Sequence, residues 1–73
     1  MEFLRTFKTN GVNYDLWLCH QIDRYFVTLA GVETGKMPVT ETADGDYIFQ
    51  RGRRYTRIPI RVIESVGSVP YGR

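Results

Sequence analysis

Apolar and polar residues alternate across residues 3–18 in two runs separated by Asn10-Gly11. That dipeptide suits a two-residue type I′ turn, because both central positions need φ > 0. The pattern predicts an antiparallel hairpin. Its register sets Thr9 opposite Val12, Phe7 opposite Tyr14, Arg5 opposite Leu16 and Phe3 opposite Leu18 on one mainly apolar face. Lys8 and Asn13, Thr6 and Asp15, and Leu4 and Trp17 then pair on the other, mainly polar face. Over residues 15–31 two periods compete: Leu18, Ile22, Phe26 and Leu29 recur at helical spacing, and Gly31 could close a helix. Against the helix stand the turn-like residues 20–23 and the run Tyr25-Phe26-Val27-Thr28-Leu29, rich in side chains that prefer a pleated surface. We read residues 24–32 as a third strand and keep the helix as the alternative.

From Glu33 onward the signals are punctuation: Thr34-Gly35-Lys36, Met37-Pro38 and Ala43-Asp44-Gly45-Asp46, with residues 39–42 left for a short edge strand. Residues 47–50, a turn at Arg51-Gly52-Arg53 and residues 55–63 suggest a second hairpin, with Thr56, Ile58, Ile60 and Val62 sharing a face. Pro59 confines that last strand to an edge, or else starts a short helix at Ile60. Residues 66–73 have no periodicity and are expected to fray. The fold expected is therefore mainly β: a small antiparallel sheet or partly open barrel, with at most one short helix and a frayed C-terminal tail. Residues 1–65 would form a single small binding domain and residues 66–73 a flexible tail.

With 73 residues there is room for one hydrophobic core. A domain of this size offers shallow surfaces rather than a deep cleft. The single cysteine, Cys19, rules out an intrachain disulfide and favours a reducing compartment. No apolar run approaches the roughly 18 residues of a spanning helix, and no charged-then-apolar leader opens the sequence, so neither membrane nor secretion is expected. The net charge of +2 is unevenly spread. Residues 1–49 hold four cationic side chains against seven carboxylates, a net −3, whereas residues 50–73 hold six arginines against Glu64 alone, a net +5.

Candidates for chemistry are few. His20 neighbours Cys19, but adjacent strand residues point to opposite faces, which separates nucleophile from base. Those two residues plus Asp15 or Asp23 fall short of a closed zinc set. Asp44-Gly45-Asp46 lacks the further acidic positions of a calcium loop and reads as a turn. Gly52 lacks the lysine and the strand-loop-helix context of a phosphate-binding loop. No catalytic residue, metal or cofactor is expected, and the chain reads as a binding protein rather than an enzyme.

The informative constellation is Arg51-Gly52-Arg53-Arg54-Tyr55-Thr56-Arg57, extended by Arg61. Arginine throughout favours directed, bidentate contacts to phosphates or carboxylates. It reads as a solvated face, as a nucleic-acid contact with Tyr55 or Tyr47 stacking on a base, or as the complement of an acidic protein surface. Trp17, opposite Leu4, is either covered by the fold or an interface anchor. The N-terminal strand also has an edge that a partner's strand could extend. The candidate partner-binding residues are Phe3, Leu4, Arg5, Arg51, Arg53, Arg54, Tyr55 and Arg57.

The length, the opening Met-Glu-Phe-Leu-Arg-Thr-Phe-Lys-Thr-Asn-Gly and the later Arg-Gly-Arg-Arg-Tyr cluster together resemble the small transcription regulator of a lytic Xanthomonas bacteriophage. That resemblance spans the whole chain. It implies a monomer in the host bacterial cytoplasm that binds bacterial RNA polymerase at the β′ subunit and neighbouring regions, with RNA or DNA nearby. It also implies inhibition of host initiation through the sigma factor, and antitermination during elongation. An autonomous nucleic-acid-binding module using the arginine cluster is the alternative.

Overall fold

The computed structural model describes residues 1–67 as six strands followed by one helix. They are β1 (Glu2–Thr9), β2 (Val12–Cys19), β3 (Arg24–Leu29), β4 (Met37–Glu41), β5 (Tyr47–Arg51), β6 (Arg54–Ile58) and α1 (Ile60–Ser65). Most of the expected tail, residues 68–73, lies outside the described residues. Each strand pairs antiparallel with the next, so sheet order follows chain order, and the sheet curls into a half-barrel. Curling is how a chain without a second sheet keeps the apolar side of six strands dry.

Alternation decides what faces inward. Phe7, Tyr14, Leu16, Leu18, Tyr25, Val27, Val39, Tyr47, Phe49 and Ile58 all point to the concave side and are buried there. The edges β1 and β6 approach without forming a ladder; Thr9 Oγ1 donates to the Arg57 carbonyl at 3.4 Å. Helix α1 packs into that gap through Val62 and Ile63. Pro59, at φ −54°, delivers the chain into the helix. Gly67, at φ +74°, follows its last turn, where its N–H bonds the Glu64 carbonyl at 3.3 Å. The last hairpin strand thus ends at Ile58 rather than 63, because Pro59 cannot extend the ladder; Ile60 and Val62 belong to the helix.

The Asn10-Gly11 turn forms as read, with φ of 51° and 74° at its two centres. The register from Thr9 to Arg5 is also as read. Beyond Arg5 it differs: a bulge at Leu4 lets Phe3 oppose Trp17 and Glu2 oppose Leu18. Leu4 consequently turns to the core instead of facing Trp17, and Phe3 moves to the outer face. Residues 15–31 are strand, turn and strand, which removes the helical alternative. The third strand stops at Leu29 rather than 32, since the chain then folds across the sheet so that Gly31 N–H reaches Asp15 Oδ2 at 2.9 Å.

The fourth strand is internal, not an edge. Met37 and Pro38 pair with β3, while Val39–Glu41 pairs with β5, so β4 turns the corner of the half-barrel. Where β4 leaves β3, Arg24 Nε donates to the stranded Val39 carbonyl at 3.2 Å. No helix among the described residues is long and apolar enough to cross a membrane.

Because α1 is anchored chiefly by its buried pair, Ile63→Ala should cost about 2–5 kcal/mol in urea unfolding. Ile60→Ala, at a half-exposed position of the same helix, should cost well under about 1 kcal/mol. Equal costs at the two positions would mean that the helix does not seal the core.

Candidate docking surface

The arginine cluster sits on the β5–β6 hairpin, whose two-residue turn is Gly52-Arg53 between the paired Arg51 and Arg54. Gly52 has φ +61° and Arg53 has negative φ, the pattern of a type II′ turn, which needs glycine at its first centre. Gln50 Nε2 donates to the Gly52 carbonyl at 3.0 Å and steadies the turn.

The pleat divides the cluster. Arg51 and Arg54, directly opposite each other, lie on the concave side in line with Phe49 and Thr56, while Tyr55 and Arg57 lie on the convex side and Arg53 occupies the tip. Arg51 is held in place: its Nη1 donates to the Tyr14 hydroxyl at 3.1 Å, and its guanidinium lies 5.9 Å from the Tyr14 ring centre. Among the described residues neither Arg51, Arg53 nor Arg54 has a carboxylate within 4.0 Å. Arg57 reaches Asp46 only at 3.8 Å, with both side chains solvated, a pair worth little. Tyr55 is 71% exposed on the convex side, the face it shares with Arg57.

The N-terminal candidates fall elsewhere. Phe3 is 49% exposed and meets Trp17 edge-on, with ring centroids 5.6 Å apart. Leu4 is half-buried against the core, and Arg5 Nη1 donates to Ser65 Oγ of α1 at 2.6 Å. Leu4 packs on the core and Arg5, though exposed, is bonded to the helix, which leaves Phe3 as the exposed apolar member of the trio. Phe3, Trp17, Phe26 and Pro38 form a cross-strand row on the convex side. The middle of that row is partly covered: Trp17 is half-buried, donates Nε1–H to Thr28 Oγ1 at 2.9 Å and has Lys36 Nζ 5.3 Å from its ring centre.

Two features escape a reading of the sequence. Asp15, placed on the polar face, is buried: Oδ1 accepts from Thr6 Oγ1 at 2.7 Å and Oδ2 from Gly31 N–H. Its threonine partner follows from the hairpin register, but no local signal announces that the chain after β3 folds back. His20 does find a carboxylate, Glu2 Oε1 at 2.5 Å, which ties the end of β2 to the start of β1. Residues 42–46 form a turn in which Thr42 and Asp46 exchange backbone and side-chain hydrogen bonds. Among the described residues no group of three His, Cys, Asp or Glu is placed to hold a metal ion.

No protein-family model, curated protein or solved structure matches the chain.

Directly opposed like charges repel across a hairpin. Arg54→Gln should therefore raise stability by about 0.5 kcal/mol in low salt, a gain that fades as salt screens the pair. Thermal unfolding at two ionic strengths checks this, and a loss of stability would show that Arg54 makes an attractive contact instead.

Proposed function

We propose that this chain is a non-catalytic docking protein of the transcription apparatus, working in the host bacterial cytoplasm. It binds bacterial RNA polymerase, interferes with the sigma factor at initiation and promotes antitermination during elongation. The observation that supports docking is the β5–β6 hairpin: several guanidinium groups and an open tyrosine ring without carboxylate partners, displayed on a turn of fixed geometry. Unneutralised arginines of this kind suit directed contacts to an acidic partner and speed its encounter. The choice of polymerase rests on the sequence resemblance. Phe3 supplies a second, apolar contact on the convex side.

An autonomous nucleic-acid-binding module is the second reading, favoured by Tyr55 standing exposed on the same face as Arg57, a pair suited to stacking on a base and meeting its phosphate. The two readings part on salt and on nuclease. Phosphate neutralisation makes binding fall steeply with salt, whereas a mixed protein interface is less sensitive.

Affinity capture of the tagged chain from bacterial lysate, with and without nuclease, tests the proposal. Polymerase subunits should remain after nuclease treatment. Arg53→Ala with Tyr55→Ala should reduce their recovery about tenfold or more, with the fold unchanged by circular dichroism. Recovery of nucleic acid alone, lost with nuclease, would overturn the polymerase reading and install the second. Phe3→Ala should likewise weaken polymerase recovery while costing little stability, because its ring is half in solvent. Full recovery with that variant would remove Phe3 from the interface.

A further inference from the structure

Asn10, Val12, Tyr14, Arg51, Arg54 and Thr56 line a shallow depression on the concave rim of the half-barrel, between the β1–β2 and β5–β6 turns. Three features of this depression call for a ligand. Arg51 and Arg54 project side by side from directly opposed positions, and an anion between them would relieve their mutual repulsion. No carboxylate of the described residues pairs with either guanidinium. The Tyr14 hydroxyl, on a residue only 2% exposed, accepts from Arg51 and has no protein acceptor for its own proton among the described residues. A donor thus stands unspent at the floor of a doubly cationic depression.

We propose that this depression is a phosphate-binding site, in which Arg51 and Arg54 share the oxygens of one phosphoryl group and the Tyr14 hydroxyl donates to it. A carboxylate presents its two oxygens in one plane, a shape that matches one guanidinium fork edge to edge. A tetrahedral phosphoryl group offers oxygens to two forks and a hydroxyl at once, which is the donor set the rim provides. Arg51 is already oriented by Tyr14, so little side-chain freedom is lost when the ligand arrives. The site lies on the opposite side of the sheet from Tyr55 and Arg57, so it can be filled while the convex side is engaged. It rests on the reading of the hairpin as an interaction surface but not on the identity of a protein partner. The phosphoryl group can belong to a nucleic-acid backbone or to a free phosphate compound.

The test uses the purified full chain and inorganic phosphate, against chloride at matched ionic strength. Phosphate should shift the amide resonances of residues 10–14 and 51–56 and raise the melting temperature, where chloride does neither. Arg54→Gln should weaken phosphate binding about tenfold, and Arg54→Lys, which keeps the charge but loses the fork, should weaken it less. Lys8→Gln removes one charge from the exposed face of β1 and should leave phosphate binding intact. Shifts spread evenly over the arginines, no preference over chloride, or an Arg54→Gln variant that binds like the parent would each overturn the site. A short single-stranded oligothymidylate that displaces phosphate, with a salt slope reduced by about one in Arg54→Gln, assigns the group to a nucleic-acid backbone. Phosphate binding that the oligonucleotide leaves untouched assigns it to a free compound. Because no polymerase is present, failed polymerase capture with phosphate binding retained removes the transcription reading alone, and the converse removes only this site.

Discussion

Val62 and Ile63 of α1 reach into the concave side of the sheet, and the rest of the molecule depends on that contact. A six-stranded sheet with one apolar face needs a closed barrel or a cover, and here β1 and β6 form no ladder and meet, among the described residues, through the bond from Thr9 Oγ1 to the Arg57 carbonyl. The helix fills the opening. At six residues it is far below the length that is stable by itself, so sheet and helix each supply what the other lacks. This mutual dependence also commits residues that could otherwise have served a partner: Leu4 lines the core beside the helix, and Arg5 is bonded to Ser65.

The pleat of the β5–β6 hairpin explains why an arginine run becomes two surfaces. In sequence, Arg51 to Arg57 form one basic block; on a pleated hairpin they alternate, and the tight turn fixes which residue faces which side. Arg51 is bonded to Tyr14 on the rim and Arg54 lines the same depression, whereas Tyr55 and Arg57 face away from it. Glycine at position 52 is what allows this, since the turn needs positive φ at its first centre. A longer, looser loop would display the same charges without direction and would lose more side-chain and backbone freedom on binding.

How much of this was legible follows from where the determinants lie. The first hairpin was readable because Asn10-Gly11 and the alternation around it are local, and so was the start of a helix after Pro59, one of two options its geometry permits. The bulge at Leu4 was not, because it arises when Leu4 is drawn to the core and Phe3 to the ring of Trp17, contacts that register counting from a turn does not contain. Residues 39–42 read as a short edge strand because turn-forming residues flank them on both sides; the internal place of β4 became possible because the strand starts at Met37, changes partners after Pro38, and has the carbonyl of Val39 satisfied by Arg24. The arginine cluster could be read onto one hairpin from its turn and alternation, but its division between faces needed the register, and the contact of Arg51 with Tyr14 needed the curl of the whole sheet.

The charge asymmetry of the sequence survives folding in a definite direction. Asp15 is consumed inside the sheet, Glu2 meets His20, and Asp46 stands near Arg57, so several of the carboxylates are occupied locally. Asp44 and Asp46 lie in the turn before β5, and Arg51, Arg53 and Arg54 at its far end. Five residues of strand separate them by about 17 Å, roughly twice the screening length of physiological salt. The acidic turn therefore does little to cancel the field at the arginine end. An approaching polyanion meets the local charge of the hairpin rather than the molecular total of +2. The strongest local concentration of unneutralised positive charge thus lies at one end of one hairpin, a feature that the total of +2 conceals.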